Sequence, residues 1–191
     1  MSKVTMGART LLYPTPATLV GANVDGEANF TTVAWCGIAS SEPPMIAVAL
    51  QHPRYTGKGI RQNLTFSVNI PSSDLVKETD YCGIISGSEV NKAGVCQFTV
   101  FYGRLKTAPL IEQCPINLEC KVAHILNLGS HALVIGGIEQ TYISESCLTD
   151  GKPDIEKIRP FAYINATRQQ YQVLGEVIGK AFSIGKELKT R

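Results

Sequence analysis

The chain is poor in charge. Asp, Glu, Lys and Arg make up 18% of its 191 residues, against about 25% in an average soluble domain. That is too little for a disordered tail or a solvated stalk. Nor is the charge one-sided: 18 Lys and Arg against 16 Asp and Glu leave +2. The basic stripe of a nucleic-acid binder or of a helix lying on a membrane surface is therefore not expected. No apolar stretch approaches the ~18 residues of a membrane span; the longest clean run is Met45-Ile46-Ala47-Val48-Ala49-Leu50. The opening Met1-Ser2-Lys3-Val4-Thr5-Met6-Gly7-Ala8-Arg9 lacks the apolar core of an export signal. A cytoplasmic chain is the expectation.

Motifs for the commonest chemistries are missing as well. There are six cysteines but no C-x-x-C, and the nearest two, Cys114 and Cys120, have five residues between them. Zinc sites need tighter thiolate pairs. The expectation is no metal and six reduced, mostly buried thiols. Gly57-Lys58-Gly59-Ile60-Arg61-Gln62 lacks the last glycine of a dinucleotide-binding turn, and strands do not alternate with helices as that fold requires. Gly175-Glu176-Val177-Ile178-Gly179-Lys180-Ala181 is one residue short of a P-loop and ends in alanine. Neither G-x-S-x-G nor H-E-x-x-H occurs, and His52, His124 and His131 are scattered.

What is there is apolar and β-rich. With 44% hydrophobic residues the chain can bury a sizeable core, and its length suits one domain over 1–191. The pattern predicts strands over 17–24 and 29–34, joined by the turn pair Asp25-Gly26. The run 45–50, launched by Pro43-Pro44, reads as a strand buried on both faces. Residues 56–63 read as a short helix with Thr56 as N-cap. Period-two alternation over 65–70 predicts a half-buried strand, stopped by Pro71. Residues 72–95 form a helical and loop insertion, with Ser73 able to cap its first helix. Two long strands, 116–126 and 131–143, flank the turn Leu128-Gly129-Ser130. A helix is expected over about 171–188, its apolar face marked by Leu174, Ile178, Ala181, Phe182 and Leu188. The sum is a β-rich domain, a barrel with appended helices.

The chemistry-bearing residues cluster near loops. Asn29-Phe30-Thr31-Thr32-Val33-Ala34-Trp35 sets the single Trp among small polar groups. Gln51-His52-Pro53-Arg54-Tyr55-Thr56 leaves an apolar strand and enters a helix, where Arg54 and Thr56 can hold a phosphate. Lys92, after the loop 83–88, adds a second cation. His131 opens a long strand directly after a turn. Taken one at a time these are ordinary residues: a core aromatic, surface charges, a plain cap and a strand-end histidine.

Their order resembles a known family. The succession of a strand, Asp25-Gly26, Asn29 to Trp35, Pro43-Pro44, an apolar strand and Arg54-Tyr55-Thr56 is similar to the flavin reductase-like, FMN-binding split-barrel family. Within it the flavoredoxin branch is most similar. Gly7-Ala8-Arg9-Thr10-Leu11-Leu12-Tyr13-Pro14-Thr15-Pro16 carries that likeness, as do Tyr81-Cys82-Gly83, Ser86-Gly87, Lys92, Gly129-Ser130-His131 and the tail from Leu174 to Phe182. The resemblance implies a mainly β fold with appended helices, the FMN-binding split β-barrel, assembled as a homodimer. It implies an oxidoreductase that passes hydride or electrons between NAD(P)H or a redox protein and an acceptor; the alternative is a non-catalytic electron carrier or flavin-storage module. It places Asn29, Thr32, Val33, Ala34 and Trp35 along the flavin ring and ribityl chain. Leu50, Gln51, Arg54, Tyr55 and Thr56 would surround the phosphate. Ser86, Gly87 and Lys92 would close over it, His131 would approach ring or phosphate, and Phe161 and Tyr163 would flank the ring. No general acid or base is expected, because the redox chemistry belongs to the cofactor.

Overall fold

The computed structural model describes residues 1–165 and 169–190. In chain order the elements are β1 (Thr15–Pro16), β2 (Thr18–Val24), β3 (Glu27–Val33), β4 (Cys36–Ser41), β5 (Pro44–Gln51), α1 (Thr56–Asn63), β6 (Thr65–Ile70), α2 (Val76–Ile84) and α3 (Lys92–Val95). They continue as β7 (Val100–Phe101), β8 (Leu110–Ile111), β9 (Ile116–Leu128), β10 (His131–Ile143), β11 (Leu148–Thr149), β12 (Lys152–Pro153), α4 (Ile155–Ile158), β13 (Phe161–Asn165) and β14 (Gln169–Val173). Seven strands form one antiparallel sheet in the order β3-β2-β6-β9-β10-β5-β4. It curls into a split barrel. A smaller sheet, β1-β13-β14, stands beside it. The turn between β2 and β3 has φ of 53° at Asp25 and 92° at Gly26, which is why a residue tolerant of the left-handed region and a glycine sit there.

Two clusters hold the fold. Val20, Val48, Leu50, Phe66, Val68 and Val134 fill the barrel interior, with Ile60 of α1 plugging one end. On the outside of β2 and β3, Leu19 and Phe30 pack with Cys82, Ala93, Phe98, Ile111 and Cys114. This second cluster seats α2 and α3 against the barrel wall. Both faces of β2 are therefore covered, and all seven of its residues are buried.

Several local expectations are corrected. β6 is buried on both faces, not one. Its outward Asn69 is satisfied there: Nδ2 donates to the Leu19 carbonyl at 3.0 Å, and Oδ1 accepts from the Ile111 N–H at 3.0 Å and from Asn117 Nδ2 at 2.8 Å. β5 buries only Ile46, Val48 and Leu50, so its apolar run covers one face fully and leaves the other half-buried. Tyr55, not Thr56, precedes α1 as its cap residue; the Thr56 hydroxyl instead accepts from Asn29 Nδ2 at 2.6 Å. Ser73 does not cap α2, which begins at Val76, and its buried hydroxyl has no hydrogen-bond partner among the described residues.

The largest correction lies at the C-terminal end. Gln169–Val173 is a strand, paired with β13 so that Tyr171 lies opposite Tyr163. No regular element follows until a 3-10 turn at Ile184–Thr190. The helical spacing is present in the sequence, but Gly175 and Gly179 each cost about 1 kcal/mol in a helix, and the Glu176/Lys180 pair returns only a few tenths. The deciding factor is packing: Ile178 is 95% exposed and Phe182 99%. A helix needs a surface on which to bury such a face.

Candidate functional site

The corner between β3 and β4, the end of β5, the start of β10 and helix α2 enclose a cleft with two chambers. The larger measures about 610 Å³, a size suited to a cofactor. Its floor is built from strand ends: Thr32, Val33, Ala34 and Trp35 on one side, Leu50 and Gln51 on the other. His131 lies directly opposite Gln51 in the β10–β5 register. Its imidazole stacks on the Trp35 indole, with centroids 4.6 Å apart and planes 25° apart. Ser130 Oγ lies 2.8 Å from His131 Nδ1 and fixes the ring. The far wall is aromatic. Tyr163 and Tyr171 project from paired strands with ring centroids 5.7 Å apart, and the Tyr171 hydroxyl donates to Asp80 of α2 at 2.9 Å. Burial and the Asp80 carboxylate push the Tyr171 phenol above its ordinary pKa.

The smaller chamber measures about 240 Å³ and shares Gln51, Arg54 and Ile84 with the larger. Thr31, Pro53, Tyr55, Thr56, Ile85, Ser86, Gly87 and Lys92 complete its wall, which contains two cations and no carboxylate. Arg54 Nη1 donates to the Gly83 carbonyl at 2.6 Å, which leaves the rest of its planar fork of donors for another acceptor. Lys92 is only 2% exposed. Its ammonium donates to the carbonyls of Cys82 at 2.9 Å and Ile85 at 3.1 Å, two of the three bonds an ammonium can make. Burial holds its pKa below the ordinary lysine value, and the nearby Arg54 charge acts in the same direction. The Thr31 hydroxyl, in a residue 1% exposed, has no hydrogen-bond partner among the described residues. A side chain on Gly87 would run into the Asn29 carboxamide, so glycine alone lets this loop close down on β3.

The cleft brings together most of the residues singled out in the sequence. Thr32, Val33, Ala34, Trp35, Leu50, Gln51, Arg54, His131 and Tyr163 line the larger chamber. Gln51, Arg54, Tyr55, Thr56, Ser86, Gly87 and Lys92 line the smaller. Two sit elsewhere. Phe161 is buried behind the wall, edge-on to Tyr171 at 5.5 Å. Asn29 holds Thr56 from behind instead of lining either chamber, and it faces a neighbouring depression that carries Asp25, Glu27 and Glu89. Thr31, Asp80 and Tyr171 were missed. Thr31 had a readable signal, since it lies inside the motif that was singled out. Tyr171 was hidden by its assignment to a helix, and Asp80 enters the cleft only through the packing of α2.

The flavin reductase like domain family matches residues 9–172, and the chain belongs to this family. It is similar to the crystal structure of flavoredoxin from Methanosarcina acetivorans, 41% identical, with a TM-score of 0.93 over 98% of this chain and 100% of that one. It is likewise similar to flavoredoxin of Desulfovibrio vulgaris (Miyazaki F), 39% identical, with a TM-score of 0.89 over 97% and 100% of the two chains. An uncharacterized protein of Archaeoglobus fulgidus is 33% identical over 144 residues, 75% of this chain and 80% of the other. Among the described residues no helix is long and apolar enough to cross a membrane.

Proposed function

We propose that this protein is an FMN-binding flavoprotein of the flavoredoxin type. It would pass hydride or electrons between NAD(P)H or a redox protein and an acceptor. The observation that carries the reading is the division of the cleft: a cationic chamber free of carboxylates adjoins a larger aromatic one. A phosphate monoester on a flat amphipathic ring asks for that pairing. Arg54, the third donor of Lys92 and the orphaned Thr31 hydroxyl suit the phosphate, where charge-assisted bonds are roughly twice as strong as neutral ones. Trp35, His131, Tyr163 and Tyr171 suit the ring. A bound FMN supplies the hydride and electron chemistry. The chain's own residues hold it, orient it and keep water from its buried side.

The direct test is the absorption spectrum of the purified protein. Two visible flavin bands are expected, and heat release followed by mass measurement should give FMN. A colourless protein that takes up no FMN on titration overturns the reading. Steady-state NAD(P)H oxidation then separates an enzyme, which turns over many acceptors, from a carrier, which does not.

A homodimer is part of this proposal. Ile38, Leu126 and Leu128 on the outer sheet, and Val177, Ile178 and Phe182 on the tail, are exposed large apolar residues. An isologous partner would cover such surfaces. Light scattering that shows a flavin-bound monomer at micromolar concentration would contradict it.

A further inference from the structure

Two thiols that the flavin reading leaves unused lie side by side where α2 meets α3. Cys82 Sγ and Cys96 Sγ are 4.0 Å apart. Cys82 is fully buried in the last turn of α2; Cys96 directly follows α3 and is half-buried. Lys92, the first residue of α3, spans the same junction through its bonds to the Cys82 and Ile85 carbonyls. Lys92, Ile85, Ser86 and Gly87 in turn form one wall of the cationic chamber. The thiols therefore sit directly behind one wall of the chamber proposed to hold the phosphate. A disulfide needs its sulfurs about 2.05 Å apart, so the pair has to close by about 2 Å. α3 is only four residues long, and Gln97 just after Cys96 turns the chain in the left-handed region at φ 53°. A short segment of this kind can take up such a movement.

We propose that Cys82 and Cys96 are a redox-active dithiol, and that their oxidation to a disulfide locks the α2–α3 wall and slows the exchange of flavin through the cationic chamber. The flavin half of this inference rests on the function proposed above; the thiol chemistry does not. The oxidant is a small-molecule disulfide, R–S–S–R. The more accessible Cys96, as thiolate, attacks one of its sulfurs; the R–S–S–R bond breaks, one RSH leaves and a mixed disulfide forms on Cys96. Cys82 then attacks the Cys96 sulfur, the Cys82–Cys96 bond forms and the second RSH leaves. The protein loses two electrons and two protons, and the two RSH molecules carry them. Burial pushes the Cys82 thiol up to about 12 and raises Cys96 as well, while the Lys92 charge pulls against the rise in both. Thiols held protonated exchange slowly, so the oxidation is expected over long exposure to the disulfide and not in a brief pulse. The cross-link acts by removing the opened states of the wall, as a disulfide removes freedom from any chain it joins.

The experiment treats the flavin-loaded protein with oxidised glutathione, digests it with trypsin and measures flavin release by fluorescence on dilution. Trypsin separates the two cysteines, Cys82 into residues 78–92 and Cys96 into residues 93–104. The expected result is a linked pair of these peptides that a reductant splits. Flavin release should be at least fivefold slower in the linked protein and return to the starting rate on reduction. Cys96→Ser should abolish both effects, and Cys82→Ala serves as the second variant because Cys96 is the less buried site. Glutathione retained on Cys96 without a link, or a link from Cys82 to the Cys114 peptide 107–121, overturns the proposal. A correct link with unchanged release overturns the coupling to the chamber. If the protein binds no flavin but forms the link, the dithiol stands and the flavin reading fails.

Discussion

The two chambers share three residues and hold a ligand by different physics. The smaller is cationic and rests on buried groups: Lys92 and the Thr31 hydroxyl have almost no solvent contact. The larger is aromatic, with Trp35 and both tyrosines reaching solvent in part. A cationic pocket discriminates by the presence of a phosphate. A stacked aromatic wall responds to the shape and electron count of a ring. Affinity and redox tuning are thereby assigned to different ends of one cleft, and each can be perturbed without the other.

The largest separation is expected from Arg54→Ala. Losing a charge-assisted bond in the cationic chamber should weaken FMN by about 2–4 kcal/mol and weaken riboflavin, which has no phosphate, far less. Titration of both flavins reads this directly, and equal losses would merge the two chambers into one. Lys92→Met follows at about 2 kcal/mol for FMN, with a lower melting temperature, because two buried carbonyls lose their donor.

The lowered pKa of Lys92 adds a pH arm. Its folded value lies below its unfolded one, so the free fold binds fewer protons and gains stability as pH rises between the two. FMN affinity moves the other way, falling as pH climbs through the folded value, while riboflavin affinity stays flat. Trp35→Ala should cost FMN and riboflavin alike, about 1 kcal/mol, and shift the flavin midpoint potential and fluorescence. Wild-type values for spectrum, potential and both affinities would make Trp35 a plain structural aromatic. The smallest effect is Tyr171→Phe, which removes a half-exposed bond to Asp80 and should cost about 0.5–1 kcal/mol of stability with little change in either flavin's affinity.

Six of the seven main-sheet strands and the cationic chamber were legible because short-range signals govern them, whereas β4 at Cys36–Ser41 was not called. Asp25-Gly26 dictates its own turn, the apolar run at 45–50 dictates β5, and Arg54 follows β5 at fixed distance. The C-terminal segment was not legible in the same way. Its helical spacing describes a face with nothing in the fold to bury it, and the strand at Gln169–Val173 depends on β13, which no local pattern reveals. The roof of the cleft was half legible. Lys92, Ser86 and Gly87 stood out as motif residues, but Asp80 reaches the cleft only because Leu19 and Phe30 seat α2 through Cys82. Long-range packing of that sort leaves no mark within a short window.

The pairing of His131 with Gln51 across β10 and β5 has a practical consequence for redesign. Both residues belong to neighbouring strands, whose backbones are fixed at roughly 4.8 Å by the hydrogen-bond ladder. The floor of the aromatic chamber is thus a gauge of constant width. A cofactor analogue with a bulkier ring cannot be admitted by spreading that floor, because the barrel would have to break. Room has to come from above, by shortening Ile84, Tyr163 or Tyr171, whose side chains can be trimmed without touching the sheet that sets the gauge.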